Sequence, residues 1–138
     1  MLGRFDHTID AKGRVIIPAK FRDEVGDDFI VTKGLDGCLY VYAPEEWKKL
    51  EDKLNALPLG NKNAREVKHF FMFDAAQVTV DKQGRITIPP ALRRFAMLEK
   101  DVLVAGMGSC IEIWDPAHYE EIHSTEDIGA AAESLGII

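Results

Sequence analysis

Two short segments of the sequence place basic side chains beside a glycine, where they could contact a phosphate or a base edge. The charged residues are Asp10, Lys12 and Arg14 in the first segment, and Asp81, Lys82 and Arg85 in the second. Arginine suits this task because its planar guanidinium donates two parallel hydrogen bonds to phosphate or guanine. A two-stranded β-ribbon fits the major groove of DNA, so a basic turn between strands predicts a DNA contact. Arg4, just before the first predicted strand, would add a phosphate contact.

Two other interpretations of these turns stay open. Arg14 could pair with Asp10, and Arg85 with Asp81, simply to lock each turn, although one arginine can serve both roles. The two aspartates could instead form a catalytic carboxylate pair. Aspartate is common in turns, where it accepts hydrogen bonds from backbone amides, so a turn-shaping role is favoured over catalysis. Nothing else in the sequence supports a substrate pocket.

The other reactive side chains do not form a recognisable catalytic or metal-binding pattern. Four histidines are scattered at positions 7, 69, 118 and 123, and none lies in a motif with serine or cysteine. Glycine motifs that bind nucleotide phosphates do not occur in the sequence. Cys38 and Cys110 fall on equivalent predicted strands and could approach each other, but buried, inert thiols are favoured. We therefore expect no enzyme activity, no metal and no cofactor.

A duplication relates the two basic segments. The sequence from Thr8 to Arg22 aligns without a gap with the sequence from Thr79 to Arg93. After one inserted residue, the similarity continues at four pairs: Gly34 with Gly106, Cys38 with Cys110, Tyr42 with Trp114, and Pro44 with Pro116. Self-similarity at this level predicts two copies of one structural unit.

Each copy has the pattern of a β-rich unit with short helices. Strands are predicted at 8–10, 15–17, 29–32, 38–42, 102–105 and 111–114. The glycine near the end of the first turn suits a hairpin between 8–10 and 15–17, with that glycine in the left-handed conformation. Helices are predicted at 19–25, 64–73, 90–97 and 117–123, with a further helix that begins at Pro44.

These elements predict an α+β fold in which the two copies share one core. A unit of about 45 residues is too small to bury a good core alone, so the copies are expected to pack as a pseudo-dimer. The predicted organisation is a first unit at 1–50, a helical connection at 51–76, a second unit at 77–123, and a C-terminal tail at 124–138.

The charge distribution is uneven. The net charge of −6 and the pI of about 5.2 are unusual for a single DNA-binding module, because phosphate neutralisation normally favours a basic protein. Both basic segments nevertheless carry a net positive charge, at 1–22 and 79–94, while the acidic excess lies mainly at 45–52 and 112–133. A local basic face on an acidic body is therefore expected. The chain has no apolar stretch of membrane-spanning length and no hydrophobic signal core, so we expect the cytosol.

The motif Asp-x-x-Gly-Arg, followed by three mainly apolar residues and then Pro-x-x-(apolar)-Arg, resembles the SpoVT/AbrB family of swapped-hairpin DNA-binding domains. Two copies in a chain of this length resemble the MraZ family within it. Further matches are Gly34-Leu-Asp-Gly-Cys-Leu39, Trp47 with the Lys/Leu-rich segment after it, and Leu54-Asn-Ala-Leu-Pro58. The resemblance covers about residues 1–122.

This resemblance implies an intramolecular swapped-hairpin barrel with flanking helices and a ring-shaped homo-oligomer. The Asp-x-x-x-Arg loops would face double-stranded DNA and bind repeated promoter boxes. The protein would then be a transcriptional regulator of the division and cell-wall gene cluster, associated with the nucleoid. The alternative within the same superfamily is an antitoxin-like protein-interaction module, although no separate toxin-binding tail is evident.

Carried over by position, the DNA-binding loops correspond to Asp10, Lys12 and Arg14, and to Asp81 and Arg85. The second loop departs from the first because Gln83 stands at the position of Lys12, and Lys82 is shifted by one residue. We therefore expect the first loop to be the stronger DNA contact. The aspartates are expected to shape the turns, because a carboxylate repels the DNA backbone.

Overall fold

The computed structural model of the chain is an α+β fold, as predicted, and it describes residues 1–123 and 127–138. Residues 124–126 of the predicted tail lie outside the described residues. The strands are β1 (Leu2–Thr8), β2 (Arg14–Ile16), β3 (Asp28–Lys33), β4 (Leu39–Tyr42), β5 (Ala76–Thr79), β6 (Arg85–Thr87), β7 (Asp101–Met107) and β8 (Ile111–Trp114). The helices are α1 (Ala19–Val25), α2 (Pro44–Asn55), α3 (Lys62–Met72), α4 (Pro90–Phe95), α5 (Pro116–Ile122) and α6 (Ile128–Ser134).

Four of the six strand pairs within the described residues join one copy to the other. Six strands form an antiparallel sheet in the order β1-β7-β8-β4-β3-β5, and β2 pairs with β6 in a second, two-stranded sheet. Exchanging each strand for its counterpart in the other copy, β1 for β5 and so on, reverses the order and leaves the sheet unchanged. The fold therefore has an internal pseudo-two-fold axis. The swapped-hairpin barrel is not confirmed, because the ladders within the described residues form two separate sheets rather than one closed sheet.

The predicted hairpin between 8–10 and 15–17 is wrong as a strand pair. β1 begins at Leu2, ends at Thr8 and pairs along its whole length with β7 of the second copy. β2 pairs with β6, with Val15 opposite Ile86. The turn between β1 and β2 exists, but each flanking strand finds its partner across the pseudo-two-fold axis. Pairing of this kind depends on the whole chain and has no local sequence signal.

The register also corrects the alignment of the two copies. Phe5 and Ala76 are counterparts, at the same spacing in sequence as Thr8 and Thr79. Val104 lies opposite Phe5, and Val31 lies opposite Ala76, so Val31 and Val104 occupy equivalent positions. By the same register, Lys33 rather than Gly34 is the counterpart of Gly106. Five residues separate Lys33 from its partner Leu39, but only four separate Gly106 from its partner Ile111, and this one-residue difference restores the predicted equivalence of Cys38 and Cys110.

The core lies between the six-stranded sheet and the β2–β6 pair. Both copies contribute matching, fully buried side chains to it: Val15, Ile17 and Phe21 from the first copy, and Ile86, Ile88 and Leu92 from the second. Helices as short as α1 and α4 are not stable alone. They are held because Phe21 and Leu92 anchor them in this core, immediately after the prolines that end β2 and β6.

Helix boundaries follow local signals where these exist. The helix predicted at 19–25 is confirmed, and α2 and α5 begin at Pro44 and Pro116, where a missing backbone N–H costs nothing. Helix α3 begins two residues before the predicted start, because the side chain of Asn61 accepts a hydrogen bond from the Ala64 amide at 3.1 Å. None of the described helices is both long and apolar enough to span a membrane.

Candidate nucleic-acid interface

The first basic turn is organised by one carboxylate. Oδ1 of Asp10 accepts hydrogen bonds from the backbone amides of Lys12 at 3.0 Å and Arg14 at 2.9 Å. Oδ2 of the same residue accepts from Nε of Arg14 at 2.6 Å. Backbone bonds from Gly13 to Asp10 and from Asp10 to Arg14 close the loop. One aspartate therefore fixes both the backbone of the turn and the direction of the Arg14 side chain.

The second turn repeats this arrangement. Oδ1 of Asp81 accepts from the amides of Gln83 at 2.9 Å and Arg85 at 3.0 Å, and Oδ2 accepts from Nε of Arg85 at 2.9 Å. Replacing lysine by glutamine at the tip does not change the turn, because the Gln83 contact is made by its backbone. The difference between the two loops is confined to exposed side chains.

The arginine lock that remained open at the sequence level is therefore present in both turns. It does not use the whole guanidinium group. In the described part of the chain, the terminal nitrogens of Arg14 form no hydrogen bond, and the side chain is about one-third exposed. The lock thus leaves a pre-oriented donor pair at the surface. The same contacts argue against catalysis by the aspartates, since each carboxylate already accepts three hydrogen bonds.

The two turns are held side by side. The Gly84 carbonyl accepts from the Ile17 amide at 2.9 Å, and the Gly13 carbonyl accepts from the Ile88 amide at 2.7 Å. These bonds extend the β2–β6 ladder into both turns. Nη1 of Arg85 lies 3.9 Å from Oδ2 of Asp10. Asp10, Arg14, Asp81 and Arg85 therefore belong to one composite surface, with Lys12 and Lys82 exposed on it.

Two arginines that sequence reasoning did not assign to the site support the turns from the opposite copy. A Cβ added to Gly13 would lie 2.8 Å from the Arg93 guanidinium, and one added to Gly84 would lie 3.0 Å from a terminal nitrogen of Arg22. Both glycines also have a positive φ, of 83° and 80°. The last arginine of each motif copy was the available signal, because it recurs at the same distance from the turn.

Arg4 is not brought to this surface. Its side chain contacts Asp6 at 3.3 Å on β1 and lines a groove on the outer face of the six-stranded sheet. The β2–β6 pair covers the opposite, inner face of that sheet. The phosphate contact predicted for Arg4 therefore lies apart from the two turns and stays a prediction.

The hydrogen bonds within the turns favour the ionised carboxylates. The backbone hydrogen bond from Arg14 is the largest cause that lowers the pKa of Asp10 below its ordinary value of 3.8. The Arg85 amide does the same for the pKa of Asp81. Both pKa values are lower in the folded than in the unfolded chain, so these groups stabilise the fold above pH 3.8 and lose that effect as the pH falls through their folded values.

Low pH is therefore expected to remove the contribution of Asp10 and Asp81 to the stability of the fold. The stability gap between the natural chain and an Asp10→Asn, Asp81→Asn variant should stay constant from about pH 7 down to about pH 4 and shrink below it. Urea midpoints of both proteins at each pH measure the gap, and the other carboxylates titrate alike in both. A gap that persists unchanged to about pH 3 would contradict the role given to these carboxylates.

The two cysteines are buried, as predicted, and both are free thiols. Burial raises the pKa of Cys110 to about 11 and raises that of Cys38 as well, so both remain protonated at neutral pH. Sγ of Cys38 donates to the Leu35 carbonyl at 3.3 Å. These thiols pack the outer side of the sheet and contribute nothing to the basic surface.

Comparisons with known proteins all identify similarity to one family. A family model described as "MraZ protein, putative antitoxin-like" matches residues 1–70 and again residues 71–134. A protein named Transcriptional regulator MraZ from Thermoanaerobacter sp. (strain X514) is 52% identical over 128 residues, which cover 93% of this chain and 90% of the relative. Proteins with the same name from Acetivibrio thermocellus and Halothermothrix orenii are 51% and 48% identical. The first alignment covers 99% of this chain and 96% of the relative, and the second covers 99% of both.

Proposed function

Since the chain belongs to the MraZ family, we propose that it is a DNA-binding transcriptional regulator that recognises sequence through its paired Asp-x-x-Gly-Arg turns. The observation that carries the proposal is the composite surface, in which two turns with the same hydrogen-bond pattern are held side by side by the β2–β6 ladder. The names of the relatives support the regulatory role.

The chemistry of the turns suits reading of double-stranded DNA. Arg14 is held through Nε, so its two terminal nitrogens can reach a guanine edge or two phosphate oxygens without losing the turn. Arg85 is held in the same way, although one of its terminal nitrogens also lies 3.9 Å from the Asp10 carboxylate. Lys12 and Lys82 stand beside them as mobile point charges suited to phosphates. Rigid backbone and pre-oriented arginine reduce the entropy lost on binding, which favours affinity and a fixed register. The Lys12 turn is proposed to be the stronger contact.

We propose further that several chains assemble into a ring and bind repeated promoter boxes of the division and cell-wall gene cluster on the nucleoid. The resemblance of the motifs supports this part of the proposal. The charge distribution also supports it, because each subunit would add one basic surface on an acidic body. Contacts that are weak singly act together when they are linked, since each raises the effective concentration of the next.

An antitoxin-like protein-interaction module is the second candidate, favoured by the wording of the matching family model. A gel-shift experiment with the DNA upstream of the chain's own gene distinguishes the two. The DNA-binding proposal predicts a shifted complex for the natural chain and its loss for an Arg14→Ala variant. An absence of any shift at low salt, with a folded protein, would leave the protein-interaction alternative.

Binding to the upstream DNA is expected to weaken steeply with salt. The logarithm of the association constant should fall linearly with the logarithm of salt concentration, by about 0.9 for each phosphate contacted. Lys12→Ala should reduce that slope by about one, whereas Lys53→Ala, which removes an exposed lysine on α2, should leave it unchanged. Fluorescence anisotropy at several salt concentrations measures the slope. A flat profile would exclude phosphate contacts.

A further inference from the structure

The pseudo-two-fold axis reveals one position where the copies differ in what covers the sheet. In the first copy, the end of α3 lies on the outer face of β3. The Thr32 side chain points away from the core-facing Phe29 and Val31, and its hydroxyl donates to the Phe71 carbonyl at 2.6 Å. A helix is thus part of the outer covering of this half of the sheet.

The equivalent face of the second copy carries a groove instead. The register makes Ala105 the counterpart of Thr32. Ala105 lines a groove of about 470 Å³, with Tyr40, Trp114 and Tyr119 among its other walls. Helix α6 follows α5 as α3 follows α2, but none of the residues that line the groove belongs to α6. Where the end of α3 lies in the first copy, the second copy therefore has an open groove with Ala105 and several aromatic side chains among its walls.

Helix α3 has an apolar side of its own that its chain leaves uncovered. None of its residues is fully buried. Val67 is 44% exposed and Phe73, just after the helix, is 75% exposed. A second hollow of about 560 Å³ lies between α3 and Lys33, and the exposed side chain of Leu35 borders both this hollow and the groove. An exposed apolar surface of this kind indicates a binding partner.

Charge distinguishes between the possible partners of the groove. Its walls carry the carboxylates of Asp36 and Glu112, while its one arginine, Arg4, is paired with Asp6. Helix α3 carries three cationic residues against one carboxylate, namely Lys62, Arg65 and Lys68 against Glu66. Helix α6 and its cap carry Asp127 and Glu133 and no cation. Opposite charge therefore favours α3 over α6 as the occupant.

We propose that this groove binds the exposed apolar side of α3 from a second copy of the same chain. The contact would place Val67 and Phe73 of one copy against Ala105 and Trp114 of the next, with the cations of α3 facing Asp36 and Glu112. This inference rests on the self-assembly part of the proposed function. It adds the two surfaces that meet and does not depend on the DNA-binding turns.

Two exposed side chains allow a matched test. Phe73 and Leu135 are both 75% exposed, and Leu135 directly follows α6. By native mass spectrometry, Phe73→Ser is expected to reduce the assembly to the single-chain mass of 15.4 kDa, while Leu135→Ser leaves it intact. Circular dichroism should show that both variants remain folded. Dissociation by Leu135→Ser alone, assembly unaffected by Phe73→Ser, or a natural chain that is already monomeric would each overturn the proposal.

Cross-linking between two differently tagged copies tests the contact directly. One copy carries Val67→Cys and the other Ala105→Cys, and a short bismaleimide joins them only if the two surfaces meet. The natural cysteines are buried and give the background, measured with unsubstituted copies. We expect a mixed dimer that is lost when Phe73→Ser is added. A yield at background level would overturn the proposal.

The same variants separate this inference from the proposed function. Arg14→Ala is expected to remain assembled while losing DNA, and Phe73→Ser to dissociate while keeping a weaker contact with a single box. An assembled natural chain that cross-links as described but never binds DNA would refute the function and leave the interface standing.

Discussion

Replacing Arg14 with alanine is expected to weaken binding to the promoter DNA by about 1–3 kcal/mol, roughly 5- to 150-fold in Kd, at fixed salt. This is the scale of one good bidentate contact to a base. The Arg14 side chain is about one-third exposed and its terminal nitrogens form no hydrogen bond within the described residues, so the loss falls mainly on the DNA-bound state. Anisotropy titration with the duplex upstream of the chain's own gene measures the effect.

Two further variants test whether Arg14 reads a base and whether the first turn contributes more than the second. Arg14→Lys keeps the charge but loses the planar fork, so it should recover only part of the affinity if the arginine reads a base. Arg85→Ala should cost less than Arg14→Ala, because the second turn has Gln83 where the first has Lys12. Unchanged affinity for folded Arg14→Ala would contradict the proposed role. Loss of folding would instead show that the bond to Asp10 is mainly a structural lock.

Gly13→Ala is expected to be the most destabilising single-methyl change in the turns, costing about 3 kcal/mol or more. The residue has φ of 83°, a conformation that costs an alanine about 1–2 kcal/mol. The added Cβ would also lie 2.8 Å from the Arg93 guanidinium and 2.9 Å from the Ile88 carbonyl oxygen. The carbonyl belongs to Ile88, directly after β6, where the Ile88 amide is held by its bond to the Gly13 carbonyl, so it cannot rotate away. Urea unfolding measures the change.

Two other glycines separate backbone strain from close contact. Gly108 has φ of 81° with nothing within 4 Å of an added Cβ, so Gly108→Ala should show the strain alone, about 1–2 kcal/mol. Gly84→Ala should fall between the two, because its nearest neighbour is the flexible end of Arg22 at 3.0 Å. If Gly13→Ala and Gly108→Ala lowered the free energy of unfolding equally, the close contact of the second copy with the first turn would contribute nothing to the cost of the added methyl group.

Local features of the structure could be predicted from the sequence because their causes lie within a few residues. The left-handed Gly13 and the proline that begins α2 are examples, since one short stretch contains both the signal and the contact. The carboxylate lock was also foreseeable, as one of two open interpretations. The α+β class followed from the predicted strands and helices, and the core shared by both copies followed from the small size of each unit.

The features that were missed depend on contacts across the pseudo-two-fold axis. The pairing of β1 with β7 and the approach of Arg93 to Gly13 join residues that are at least 80 positions apart in the chain. The local sequence of β1 or around Arg93 does not identify the partner, because the partner depends on how the two complete units pack. Arg4 shows that closeness in sequence can also mislead. It is close to the first turn in sequence, yet its strand places its side chain on the other face of the sheet.

The most direct test of the account compares Kd for two duplexes of equal length and base composition at about 0.15 M salt. One is the DNA upstream of the chain's own gene, and the other is the same sequence shuffled. Sequence-specific binding through the paired turns predicts at least about 1,000-fold tighter binding of the natural duplex, and a much smaller ratio for Arg14→Ala. Equal Kd values for the two duplexes would contradict the account.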